Sequence, residues 1–176
     1  MTKVFWLFGR SGAGKTTLGQ YLRRALLDRK TPVFYLDGDD MRSGLSVDLG
    51  FTPEARVENH RRIAEVAKLA TKQGLTVIVT TMAPQHCQRD IVARVLGERL
   101  VWIYIHAPLE TCIRRDPKGL YQRAQTGQLD QLLNFPFEVP RPLERENFID
   151  TVAQNVEGAA QSLLGLVQAH LSDYVI

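Results

Sequence analysis

Eight residues near the start of the chain, Gly9-Arg10-Ser11-Gly12-Ala13-Gly14-Lys15-Thr16, constrain its fold more than any other stretch. They satisfy the pattern G-x-x-x-x-G-K-[ST], and the segments around them suit it. Val4-Phe5-Trp6-Leu7-Phe8 is short, apolar and β-prone, which predicts a buried strand. Leu18, Tyr21, Leu22, Ala25 and Leu26 recur at helical spacing. Glycines let the backbone turn tightly and aim several N–H groups at one anion, and a helix opening near Gly14 adds the positive end of its dipole. Lys15 can then reach the outer phosphates of a nucleotide, and the Thr16 hydroxyl can ligate Mg²⁺. The bland alternative is a glycine-rich turn with a solvated lysine, and the strand and helix on either side weigh against it. The loop predicts binding of a nucleoside triphosphate through Gly9, Ser11, Gly12, Ala13, Gly14, Lys15, Thr16 and Thr17.

Strands and helices alternate along the rest of the chain. Val33 to Leu36, Leu75 to Thr80, Leu100 to Ile105 and Phe148-Ile149 read as strands, separated by helical patterns. Thr52-Pro53 reads as a helix start, and the helix runs to about Lys72 with Ile63, Ala64, Ala67, Leu69 and Ala70 inward. Pro84 opens a helix to about Leu96, Pro108 to Arg115 forms a short one, and a closing helix spans Val152 to about His170. This alternation predicts a doubly wound α/β fold with a mainly parallel five-stranded sheet and helices on both faces. At 176 residues the chain reads as one domain. The segment at about 116–142 is polar, contains prolines and is long for a connection, so it reads as a mobile lid.

A net charge of +3, spread along the chain, gives no argument for a nucleic-acid partner. Cys87 and Cys112 fall in predicted helices without metal-ligand spacing and read as buried free thiols in a reducing compartment. His60, His86, His106 and His170 share no ligand spacing and read as structural or surface residues. The first apolar run is too short for a signal peptide, and no stretch approaches a membrane span. The expectation is a cytoplasmic protein with no membrane and no nucleic acid among its partners.

A phosphate loop alone does not separate kinases from GTPases and motor ATPases. No Asn-Lys-x-Asp guanine motif is present, and motors are usually longer. The strand ending at Leu36 leads into Asp37-Gly38-Asp39-Asp40, at the sheet edge where ligands bind in open α/β folds. A carboxylate there can orient an attacking hydroxyl and accept its proton. The alternative for these acids is a capping and turn cluster.

Several motifs together resemble the adenylyl-sulfate kinase family of P-loop kinases. They are Gly9 to Thr17, Leu36-Asp37-Gly38-Asp39, Arg42, Asp48-Leu49-Gly50-Phe51, Glu58-Asn59, Arg61 to Leu69, Ala107-Pro108-Leu109-Glu110 and Arg115-Asp116-Pro117-Lys118-Gly119-Leu120-Tyr121. The resemblance implies transfer of the ATP γ-phosphate, with Mg²⁺, to the 3′-hydroxyl of a nucleotide acceptor, adenylyl sulfate first among candidates. It implies Asp39 and Lys15 as catalytic residues, with Asp37 supporting Mg²⁺, held also by Thr16, or the acceptor site. Arg42, Arg56 and Asn59 resemble acceptor-anion contacts, Phe51 an aromatic stacked on the acceptor base, and Arg115 and Lys118 residues near the donor nucleotide. It also implies a homodimer.

The chain departs from the family at three places. Arg10 stands where leucine is usual. Ala83-Pro84-Gln85-His86 replaces Ser-Pro-Tyr-Arg. The run from Gly127 to Glu138 lacks the Phe-Thr-Gly that supplies a second stacking aromatic, leaving Phe135 or Phe137 as replacements. Either replacement would keep adenylyl sulfate as the acceptor; the loss of the stacking aromatic makes the runner-up a related kinase for another activated nucleotide, such as a cytidine diphosphoramidate of polysaccharide modification. A catalytically weak ATP-binding regulatory module is the reading from a different class, and retention of Asp37 and Asp39 argues against it.

Overall fold

A computed structural model describes residues 2–126 and 136–172. Five strands form one sheet: β1 (Val4–Phe8), β2 (Val33–Asp37), β3 (Thr76–Thr81), β4 (Leu100–His106) and β5 (Phe148–Asp150). Their order is β2-β3-β1-β4-β5, and every pairing is parallel. All five β1 residues are fully buried, as expected of a central strand covered on both faces.

The period-two alternation of a strand divides β1 between two cores. Phe5 and Leu7 pack with Leu18, Leu22 and Leu26 of α1 (Lys15–Asp28) and with Ala160, Leu163 and Val167 of the closing helix. Val4, Trp6 and Phe8 face the other way, against Ile63, Ala64 and Ala67 of α3 (Pro53–Lys72) and Val92 and Leu96 of α4 (His86–Leu96). Between these lies α2 (Gly38–Ser43); beyond them come α5 (Leu109–Arg115), α6 (Leu120–Gln125) and the closing helix α7 (Val156–Ser172).

The Thr52 hydroxyl accepts from Ala55 N at the start of α3, with Pro53 in the first turn, the arrangement expected from the sequence. Other boundaries move. Helix α4 opens at His86 behind a Gln85–Gln88 capping box, so Pro84 precedes the helix. Helix α7 opens at Val156, because the Asp150 carboxylate accepts from Val152 N and Ala153 N and holds an intervening turn. Leu69 is 61% exposed, since two residues past Ala67 a helix has turned by roughly 200°. Cys87 is exposed, unlike buried Cys112; it lies in the first turn of α4 while the next residues, Gln88 and Arg89, take the inward face. Within the expected lid, Leu120–Gln125 form the regular helix α6, which the polar sequence pattern does not announce. The rest of that segment, residues 127–135 with Phe135 among them, lies outside the described residues. No described helix is long and apolar enough to cross a membrane.

Candidate active site

The loop after β1 is shaped by close approach as much as by dihedral freedom. A Cβ on Gly9 would collide with the Ile105 carbonyl oxygen, and one on Gly12 would stand 2.8 Å from Cys112 O at a φ of +77°. The loop therefore sits tightly between β4 and α5, and Tyr121 OH donates to Ser11 O at 3.0 Å from the other side. The Thr151 hydroxyl, following β5, lies 3.0 Å from Ala13 O and 3.1 Å from His106 O.

The loop faces a cleft of about 1140 Å³. Ser11, Gly12, Gly14, Lys15, Thr16, Thr17, Asp37, Asp39, Arg42, Phe51, Arg56, Asn59, Arg115 and Lys118 all line it. Gly9 and Ala13 alone of the expected residues do not, being buried beneath the loop.

Asp37 caps a helix with one carboxylate oxygen and turns the other toward the cleft hydroxyls. Its Oδ1 accepts from Asp39 N at 2.9 Å and so caps α2. Its Oδ2 accepts from the Thr80 hydroxyl at 2.7 Å and the Thr16 hydroxyl at 3.2 Å, with Tyr35 OH at 3.4 Å. Burial works to raise this carboxyl; the Asp39 N–H, the Thr80 hydroxyl, the Lys118 charge and the Thr16 hydroxyl outweigh it and hold the pKa below the ordinary value. Thr80 and Tyr35 were not expected in the site. Their signal is the parallel register, which sets Thr80 opposite Asp37, and the strand period, which puts Tyr35 on the face of Asp37. The adjacent Thr16 and Asp37 oxygens suit a hard cation such as Mg²⁺, which takes few protein ligands beside nucleotide phosphates. Among the described residues no cluster of three or more His, Cys, Asp or Glu forms a metal site of its own.

Asp39 is 70% exposed at its side chain and forms an ion pair with Lys118, reaching in from the segment between α5 and α6. Arg115 donates to Gly12 O, Thr151 Oγ1 and Thr151 O, tying α5 to the phosphate loop. On the opposite wall, Arg42 donates to Gly50 O at 2.7 Å and Arg56 to Phe51 O at 3.0 Å. Both guanidinium groups lie over the Phe51 ring, at 4.9 and 5.7 Å. Arg62 braces this wall with two bonds to the Asp48 carboxylate, at 2.6 and 2.8 Å. Phe137 does not line the cleft: it stacks on Tyr104 at 6.0 Å, with the Arg10 guanidinium 5.0 Å from its ring centre. Arg10 thus has an aromatic partner outside the cleft, and no second Phe, Tyr or Trp joins Phe51 in the cleft wall among the described residues.

Lys15 donates to Arg10 O at 2.7 Å. Burial and then repulsion by Lys118 bring its pKa down from 10.5 to about 8. An anion binds the charged form, so triphosphate affinity is expected to fall several-fold between about pH 7 and about pH 9, with proton uptake on binding at the higher pH. Calorimetry in two buffers of different ionisation heat measures both. Equal affinity at both pH values, without uptake, would contradict it.

Known proteins resemble the chain over most of its length. The profile of the adenylylsulphate kinase family matches residues 1–149. The chain is 42% identical over 170 residues to the adenylyl-sulfate kinase of Paraburkholderia xenovorans, covering 96% of this chain and 92% of that one. It is 39% identical over 168 residues to the Pseudomonas aeruginosa adenylyl-sulfate kinase, covering 95% and 86%. Among solved structures it is similar to Mycobacterium tuberculosis APS kinase CysC in complex with AMPPNP and APS. That match has a TM-score of 0.89 at 31% identity, over 95% of this chain and 98% of that one. A sugar kinase from Janibacter, 21% identical with a TM-score of 0.72, shares the fold. With its phosphate loop, acidic pair and arginine wall joined in one cleft, the chain belongs to the adenylylsulphate kinase family of P-loop kinases.

Proposed function

We propose that this protein transfers the γ-phosphate of ATP to the 3′-hydroxyl of adenylyl sulfate, giving 3′-phosphoadenylyl sulfate and ADP. The observation that carries this reading is the single cleft in which a phosphate loop, an acidic pair and the Arg42–Arg56–Asn59 wall face one another. In the reading, the loop N–H groups and Lys15 hold the donor phosphates, and Lys15 gives up Arg10 O to do so. Thr16 and Asp37 would hold Mg²⁺, which when bound offsets the charge of the phosphates.

Arg42, Arg56 and Asn59 bind the phosphosulfate of the acceptor, where the planar arginine forks suit two oxygens each. Asp39 orients the 3′-hydroxyl and takes its proton as the new O–P bond forms and the bond to the β-phosphate oxygen breaks. Arg115 and Lys118 bring positive charge to the donor side, where it compensates the reacting phosphoryl group. The segment at about 116–142 acts as the lid, and the homodimer implied by the family belongs to the same reading.

An acceptor panel with MgATP tests it: adenylyl sulfate, cytidine and uridine diphosphate derivatives, and simple hydroxyl metabolites, with phosphorus NMR locating the new phosphate. Adenylyl sulfate phosphorylated at the 3′-position is the expected result. Turnover of a cytidine diphosphoramidate in its place would favour the runner-up. The adenylyl-sulfate reading is the one that calls on Phe135 or Phe137 as a second stacking aromatic, and Phe137 is engaged by Tyr104 and Arg10 outside the cleft. Turnover of a non-nucleotide alone would overturn the substrate class.

A further inference from the structure

The acceptor half of the cleft has a second recognition element, beside the arginine wall. Asn59 and His60 both line the cleft, and both are buried, at 3% and 6% exposure. Each has a buried polar atom without a hydrogen-bond partner among the described residues: Asn59 Oδ1 and His60 Nε2. Buried polar atoms in folded proteins nearly always have a partner, so orphans at a ligand cleft point to groups supplied by the ligand.

The protonation of the His60 ring follows from its surroundings. Its Nδ1 lies 2.8 Å from Arg56 O. A carbonyl oxygen only accepts, so Nδ1 carries the proton. Burial, against that hydrogen bond, and the nearby charges of Arg42, Arg56 and Arg89 lower the ring pKa to about 4, so the ring is neutral near neutrality. Its Nε2 is then a bare lone pair that can only accept. The ring is held in place by stacking on Trp6, with centroids 6.2 Å apart and planes 27° apart, and Trp6 is itself fixed by donating to the Thr81 hydroxyl at 2.8 Å.

A bare lone pair repels the phosphosulfate and favours an N–H or O–H. Of the donors on a nucleotide acceptor, the 3′-hydroxyl is assigned to Asp39, which leaves the base amine and the 2′-hydroxyl. The base amine fits better, because Phe51, on which a base would stack, lines the same cleft as His60. We propose that His60 is a specificity-determining residue whose Nε2 accepts a hydrogen bond from the exocyclic amine of the acceptor base. The site then selects adenine or cytosine over bases with a carbonyl or no substituent at that position. The inference rests on the reading of the cleft as a nucleotide kinase site, and it holds for either nucleotide acceptor considered above.

The test uses three acceptors with the full chain and MgATP: adenylyl sulfate, its counterpart with unsubstituted purine, and its 2′-deoxy counterpart. Loss of the amine leaves a buried acceptor unpaired, so kcat/KM of the unmodified protein is expected to fall about tenfold or more with the purine compound. His60→Leu removes the lone pair, and its preference between the adenine and purine compounds is expected to shrink to about twofold or less. His60→Gln keeps an acceptor and retains part of the preference. ATP binding and thermal melting of each variant report on folding.

Equal use of the adenine and purine compounds by the unmodified protein would overturn the proposal without any variant. A preference that survives in a folded His60→Leu protein would overturn it too. A collapse of turnover only with the 2′-deoxy compound would assign Nε2 to the ribose instead and overturn the base assignment. If no nucleotide is phosphorylated at all, the kinase reading itself fails, which is a separate result.

Discussion

Asp39→Asn is expected to lower kcat by about a hundredfold to ten-thousandfold while leaving nucleotide affinity within about threefold. Asparagine keeps the size of the side chain and one accepting oxygen, so it can still orient the acceptor hydroxyl. It cannot take the proton, and the affected term is the one made only in the transition state. The ion pair with Lys118 does not protect the carboxylate from substrate. Asp39 is 70% and Lys118 48% exposed at the side chain, and pairs this open are worth about 0–1 kcal/mol, so an arriving hydroxyl displaces the lysine at small cost. Asp40 is the internal control. It follows Asp39 on α2 but is exposed and absent from the cleft lining, and Asp40→Asn is expected to retain full activity. Single-turnover measurements on both variants separate chemistry from product release. An Asp39→Asn protein with unchanged kcat would remove the base from the mechanism.

The parts of the fold legible beforehand were those written locally. The phosphate loop reads from fixed glycines and a lysine between an apolar run and a helical repeat. The start of α3 reads from Thr52-Pro53, and β1 from five consecutive apolar residues. What stayed hidden depends on pairing across the chain. The order β2-β3-β1-β4-β5 brings Thr80 opposite Asp37 and sets Thr151 beneath Ala13, and no local pattern in either threonine announces this. From spacing alone His60 is a structural or surface residue, and its stack on Trp6 fits the first; its unpartnered Nε2 emerges only when α3 is laid against the sheet. Arg89 had a usable signal. It precedes Val92 and Leu96 by three and seven residues, the spacing of one helix face, and all three are buried.

That buried arginine sets the second large effect. Replacing Glu144 by alanine is expected to destabilise the protein by about 3–5 kcal/mol, because it strands a charge where water does not reach. Arg89 is 1% exposed and Glu144 5%, and Arg89 Nε faces Glu144 Oε2 at 3.1 Å. The other Arg89 nitrogens donate to Ala83 O at 2.6 Å, to His86 Nδ1 at 2.8 Å and to Glu138 O at 3.3 Å. Glu144 also accepts from Arg141 N at 2.7 Å. Urea unfolding of Glu144→Gln beside Glu144→Ala divides the loss, since glutamine can keep the Arg141 bond but not the charge. The double replacement Arg89→Met with Glu144→Leu removes both charges, and it is expected to recover at least about half of the stability lost by Glu144→Ala. Activity should not recover with it. Ala83 stands at a left-handed φ of +40° directly before Pro84, which lines the cleft. That backbone costs about 1–3 kcal/mol and persists only where its surroundings hold it, and Arg89 grips its carbonyl. With the grip gone, Ala83 can relax, Pro84 moves, and the KM for the acceptor is expected to rise while that for ATP stays put. A double variant that regains stability and acceptor affinity together would show that the Arg89 network acts on folding alone.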